Sequence, residues 1–189
     1  MAAAQVAYGP MTATIPFPLA GNRQNETTDI ERKQVTTMTK SETLRLLAET
    51  KARTISAFDL TASELSRTYG QGKWSIRQIL HHLTDTEYLF VGRLKKIIAE
   101  PKQVIWAFNQ DDWDRAFEYQ NASLDGKKEL YAICRAVNIQ LVDQFFEQYG
   151  AKEFVHNETG LRTLQMEFEK VALHNQSHNQ QIEIALKQL

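Results

Sequence analysis

From Thr39 onward, apolar residues recur at three- and four-residue spacing, and no run alternates in the two-residue rhythm of a hairpin. Four long helices are predicted. The first covers about Lys40 to Phe58, with Leu44, Leu46, Leu47, Ile55 and Phe58 among its apolar positions. The second opens at Ser75, whose hydroxyl and the amide of Gln78 form a capping-box pair, and it stops before Pro101. The third runs from about Asp125 to Tyr149 and ends at Gly150. Thr163 is the expected N-cap of the fourth, which reaches almost to Leu189. Between the second and third lies a long connection, Pro101 to about Leu124, carrying Trp106, Phe108, Trp113, Phe117 and Tyr119. Asp111-Asp112-Trp113 within it starts a short helix, with acids in the first turn. Lys152 to Arg162 has room for one short extended piece. The fold expected is all-α, a four-helix bundle whose long connection between helices 2 and 3 lets those two helices take non-standard positions.

Residues 1–38 break the pattern. Pro10, Pro16, Pro18 and Gly21 block any long helix there, so the stretch is expected to be a flexible tail, and residues 39–189 a single domain. Met38, at the junction, is a candidate translation start. Few turn residues (8 Gly and 4 Pro in the chain) agree with a helical domain. A formal net charge of -1 and the lack of any block of like charge argue against a nucleic-acid partner. No apolar run is long enough for a membrane helix, and no secretory signal opens the chain. The lone Cys134 reads as a small buried hydrophobe rather than a nucleophile, and it excludes an internal disulfide. A cytoplasmic protein is expected.

The chemistry is concentrated in histidines. His174 and His178 lie one turn apart on one face of the fourth helix, at the level where polar side chains, Asn175 among them, interrupt its apolar stripe. His82 sits beside the apolar stripe of the second helix, whereas His81 projects almost oppositely, towards solvent, and His156 falls in a loop. Inward imidazoles on two helices need each other, water or a metal, because burial without partners is unfavourable. Three neutral imidazoles with an open position form a recurring catalytic metal site, while satisfied core histidines are the plainer alternative. A helical zincin requires Glu after the first histidine of the pair, and Asn175 stands there. Glu87 falls inside the second helix's apolar stripe. It is suited either to hold a ligating imidazole or to transfer a proton.

The run Gly72-Lys73-Trp74-Ser75-Ile76-Arg77-Gln78-Ile79-Leu80-His81-His82-Leu83-Thr84-Asp85-Thr86-Glu87 resembles the second-helix signature of the DinB-like superfamily, and within it the YfiT-type metal-dependent hydrolases. His174-Asn-Gln-Ser-His178, followed by Gln181-Ile182, resembles the fourth-helix motif of that group, and Asp111-Asp112-Trp113 its long connection. The resemblance covers about Thr39 to Leu189. It implies a four-helix bundle, often a homodimer, with nickel or zinc on His82, His174 and His178. Ser177 and Asn179 stand where the family has a further histidine or acid, so no proton relay is expected at that point.

The leading expectation is therefore a metal-dependent hydrolase acting on a small molecule, its ion activating water. Asp85 or Glu87 would orient an imidazole or take a proton, and Trp74, Trp106 and Trp113 are candidates for the pocket wall or the core. A thiol S-transferase of the same superfamily is the second reading, with Arg77 and Arg93 as candidates to hold the thiol's carboxylates. A metal-binding bundle without catalysis is the third.

Overall fold

The computed structural model describes residues 37–100 and 102–188. The expectation of a tail at residues 1–38 therefore lies, up to residue 36, outside the described residues. Four long helices are present: α1 (Lys40–Ala57), α3 (Ile76–Ala99), α5 (Lys127–Tyr149) and α6 (Leu164–Lys187). Their boundaries follow local chemistry. Thr39 with Glu42 and Ser75 with Gln78 form the two capping boxes that start α1 and α3, and the Thr163 hydroxyl accepts from the Met166 amide at the start of α6. The acids Asp111 and Asp112 occupy the first turn of α4 (Gln110–Ala116), which Asn109 caps. A one-turn helix, α2 (Ala62–Leu65), has its own capping box between Thr61 and Glu64 and was not expected from periodicity, since one turn carries none.

Three short strands form one sheet. The extended piece expected between Lys152 and Arg162 is the hairpin of β2 (Glu153–His156) and β3 (Gly160–Thr163), antiparallel to each other. Gly160 takes φ 74°, in the left-handed region where glycine meets no penalty. The long connection contributes β1 (Val104–Ile105), parallel to β2.

Each helix carries residues of two apolar clusters, and the order in which it meets them gives its direction. α1 and α6 run from the cluster of Leu47, Leu94, Val142 and Phe168 towards the cluster of Leu80, Leu83, Tyr131 and Ile182; α3 and α5 run the other way. α3 packs on α5 and α6, and α1 packs on the same two, so α1 and α3 stand at opposite corners. This agrees with the expectation that the long connection lets its two helices take non-standard positions. The helices it joins, α3 and α5, are direct neighbours; the chain crosses the diagonal between α1 and α3 and again between α5 and α6. The length has a simple cause: α3 and α5 run parallel, so the chain must return the length of the bundle between them.

Between the two apolar clusters lies a belt of buried polar side chains contributed by all four helices: Thr50 and Thr54, Glu87 and His82, Arg135 and Asn138, Asn175 and Asn179. The Thr54 hydroxyl lies 3.0 Å from both Asn175 Oδ1 and Asn179 Oδ1, and Asn179 Nδ2 donates to the Thr50 carbonyl at 3.1 Å. The functional candidates sit in this belt.

Candidate metal centre

His82 on α3 and His174 and His178 on α6 come together at the level of the belt. His82 Nε2 lies 3.0 Å from His174 Nε2, which lies 3.2 Å from His178 Nε2. The three ring nitrogens fall within 4.8 Å of one another. The helical spacing of His174 and His178 sets both imidazoles on the flank of α6 that faces α3, and the α3–α6 packing closes the triangle. Trp74, just before the Ser75 cap, walls the group: its ring is 5.1 Å from that of His82 and stacks at 6.5 Å on that of His178. Phe108 also stacks on His82, at 6.1 Å.

Proton counting shows that these nitrogens cannot satisfy one another. His178 Nδ1 lies 2.8 Å from the side-chain amide oxygen Oε1 of Gln181, so Nδ1 carries the proton and Nε2 keeps a lone pair. A neutral His174 has one proton to offer. If it is on Nε2 it serves one of two neighbours; if it is on Nδ1 it meets nothing, because that buried atom has no partner. Burial holds His82 down to about 3, with the charge of His178 adding to the effect. Burial likewise lowers His174 well below the ordinary histidine value, and lowers His178, which the Gln181 bond partly offsets. All three are neutral near pH 7, and one ring nitrogen of each converges on the same point. A divalent cation fits this donor set: tetrahedral zinc with Zn–N near 2.0–2.1 Å places its nitrogens about 3.3 Å apart.

The two acids named from the sequence lie elsewhere. Asp85 accepts from the Tyr119 hydroxyl and from Lys127 Nζ at 3.3 Å, on the wall of a different cavity under the α3–α5 connection. Glu87, fully buried, has Arg135 Nη2 2.6 Å from its Oε1 and Asn138 Nδ2 2.8 Å from its Oε2. Burial raises its pKa, against the opposing effects of Arg135 and Asn138. Neither carboxylate hydrogen-bonds a triad histidine among the described residues; positions 85 and 87 turn towards the connection and α5. Two other carboxylates share a cavity with the site: Asp111, which with Trp74, His178 and Gln181 lines a space of about 320 Å³, and the exposed Glu158, which lines the space beside His82 and His174.

Two histidine placements are corrected. His81 is 1% exposed, covered by the long connection: its ring stacks at 4.6 Å on Tyr119. His156 is 3% exposed, because β2 buries alternate residues and Phe154 and His156 both face inward. His156 lines a second cavity, of about 190 Å³, which opens on His82 and His174 and is walled by Phe90, Phe108, Arg93 and Lys170. Of the arginines named from the sequence, Arg93 reaches this cavity, while Arg77 donates to the Ala122 carbonyl at 3.1 Å. Trp106 is 71% exposed and forms neither wall nor core. Cys134 is buried, as expected, and burial raises its thiol pKa. Gln181 and Phe108 had no assigned role; the i+3 spacing of Gln181 from His178 was the available signal.

A family model described as the DinB superfamily matches residues 46–182. A protein of Oceanobacillus iheyensis named "Putative metal-dependent hydrolase OB0413" is 30% identical over 127 residues, covering 67% of this chain and 73% of its own length. The similarly named YfiT of Bacillus subtilis is 26% identical over 133 residues, 68% of this chain and 72% of its own. The solved structure of YfiT, described as an unusual four-helix bundle topology, superposes with a TM-score of 0.69 at 23% identity, covering 86% of this chain and 91% of that one.

Proposed function

From the chain's membership of the DinB superfamily, we propose that it is a metal-dependent hydrolase of a small molecule, with the ion held by His82, His174 and His178. The observation that carries this reading is the convergence of three Nε2 atoms with too few protons to bond one another. When bound, a divalent ion supplies Lewis acidity towards a substrate oxygen and acidifies water. The chain's own residues do the rest. Gln181 holds the His178 ring by its Nδ1 proton, and Trp74 and Phe108 fix the planes of His178 and His82 while excluding bulk water. Asp111 is the carboxylate placed to take a proton on the Trp74 side. Nickel and zinc both suit an imidazole set. We further infer a cytoplasmic homodimer. The buried, unpaired Cys134 supports a reducing compartment, and the exposed row Val104, Val155 and Leu161 across the sheet supports burial against a second copy.

The test is metal analysis of protein purified without a metal-affinity tag, beside His82→Ala and His178→Ala. About one equivalent of nickel or zinc is expected in the wild type and loss in both variants. Ester and amide turnover is then measured with and without a low-molecular-weight thiol. A wild type that takes up no metal on reconstitution overturns the reading; turnover that requires the thiol turns it into the transferase.

A further inference from the structure

The cavity that opens on His82 and His174 has a second polar end, which the metal chemistry does not use. Arg93, Lys170 and His156 line it together with the apolar Leu89, Phe90, Ala107 and Phe108. Arg93 is held in place: its Nη2 donates to the Trp106 carbonyl at 2.6 Å, its Nη1 lies 3.8 Å from Glu167 Oε1, and its guanidinium lies 6.0 Å from the Phe90 ring centre. Lys170 is half-buried and makes no hydrogen bond or close ion pair among the described residues. His156 Nδ1 accepts the Glu158 amide at 3.3 Å, so in the neutral ring the proton is on Nε2, which has no hydrogen-bond partner among the described residues. Behind them the fully buried Glu167 stands between Arg93 and Arg162, its oxygens 3.8 and 3.9 Å from them and hydrogen-bonded to nothing. That carboxylate gathers cations at this wall without consuming their donors. The one acidic side chain lining the cavity, Glu158, is exposed at its edge.

A fixed guanidinium, an unpaired ammonium and a free ring N–H around one small space form an arrangement suited to a carboxylate. We propose that Arg93, Lys170 and His156 form an anion subsite, and that the substrate has a carboxylate on an apolar body whose reactive group lies at the histidine triad. The assignment of the reactive end rests on the metal-dependent reading above; the subsite itself does not. Lys170 supplies charge, Arg93 sets orientation, and Phe90 and Phe108 hold the body between the two ends.

The test is calorimetric titration of the full-length, chelator-treated protein with benzoate and with its uncharged counterpart benzamide. Benzoate is expected to bind at least about tenfold more tightly than benzamide, and Lys170→Met to weaken benzoate by about tenfold. Lys170→Arg should restore most of the loss, separating charge from packing. Equal binding of the two probes, or indifference to Lys170→Met with the fold intact, would each overturn the subsite. Metal uptake is read separately: Lys170-dependent benzoate binding in a protein that takes up no metal keeps the subsite and removes the hydrolase.

Discussion

His178 depends on one neighbour for its direction. The Gln181 side-chain oxygen Oε1 fixes both the tautomer and the ring plane, so Gln181→Ala is expected to weaken metal affinity about 10–100-fold while leaving the fold intact, as read by competition with a chromogenic chelator. Unchanged affinity would mean that Trp74 stacking alone orients the ring. The histidines also set the acid stability of the metal-free protein. Their folded pKa values lie below the ordinary 6.5, that of His82 near 3, with burial the main cause. The unfolded chain therefore takes up protons first as pH falls. Their contribution is complete above about pH 6.5 and is lost progressively towards 3. Melting temperature should drop through that window, and less steeply in His82→Gln; parallel curves for the two proteins would contradict this.

At the scale of elements, the polar belt ties helices that the apolar clusters alone would let slide. Arg135 of α5 is fully buried against Glu87 of α3, and Asn138 spans the same pair of helices. Arg135→Met leaves a buried carboxylate without its cation and is expected to destabilise the protein by about 3–5 kcal/mol in urea unfolding. Replacing both members, Arg135→Met with Glu87→Leu, should recover most of that loss, because two apolar chains of similar size need no counter-charge. A double variant as unstable as the single one would assign the effect to packing instead. Thr54 plays the corresponding part between α1 and α6. Thr54→Val leaves the side-chain oxygen of Asn179 without its donor, whereas that of Asn175 keeps those of Tyr131 and Asn179, at a cost of about 1–3 kcal/mol.

For the whole molecule, the triad joins α3 to α6, so an ion bound only by the folded chain stabilises the bundle. At a free metal concentration of about 100 times Kd the gain is about 2.7 kcal/mol, and a metal-dependent rise in melting temperature should vanish in His82→Ala. The sequence by itself determined the four long helices, the caps at Ser75 and Thr163 and the family to which they belong. These depend on neighbours three or four residues apart, and periodicity records such neighbours directly. It also singled out His82, His174 and His178, whose convergence needed only the right helices to meet. Only the tertiary structure decided what the other polar residues do. A helical wheel shows which side of α3 is apolar but not which element covers the remaining sides, so His81 was expected in water and lies under Tyr119 instead. Asp85 and Glu87 were expected at the site and are engaged by Lys127 and Arg135. The directions of the helices, the diagonal crossings and the cavity that brings His156 to His174 depend on contacts far apart along the chain. Those contacts form by packing, and no local pattern encodes them.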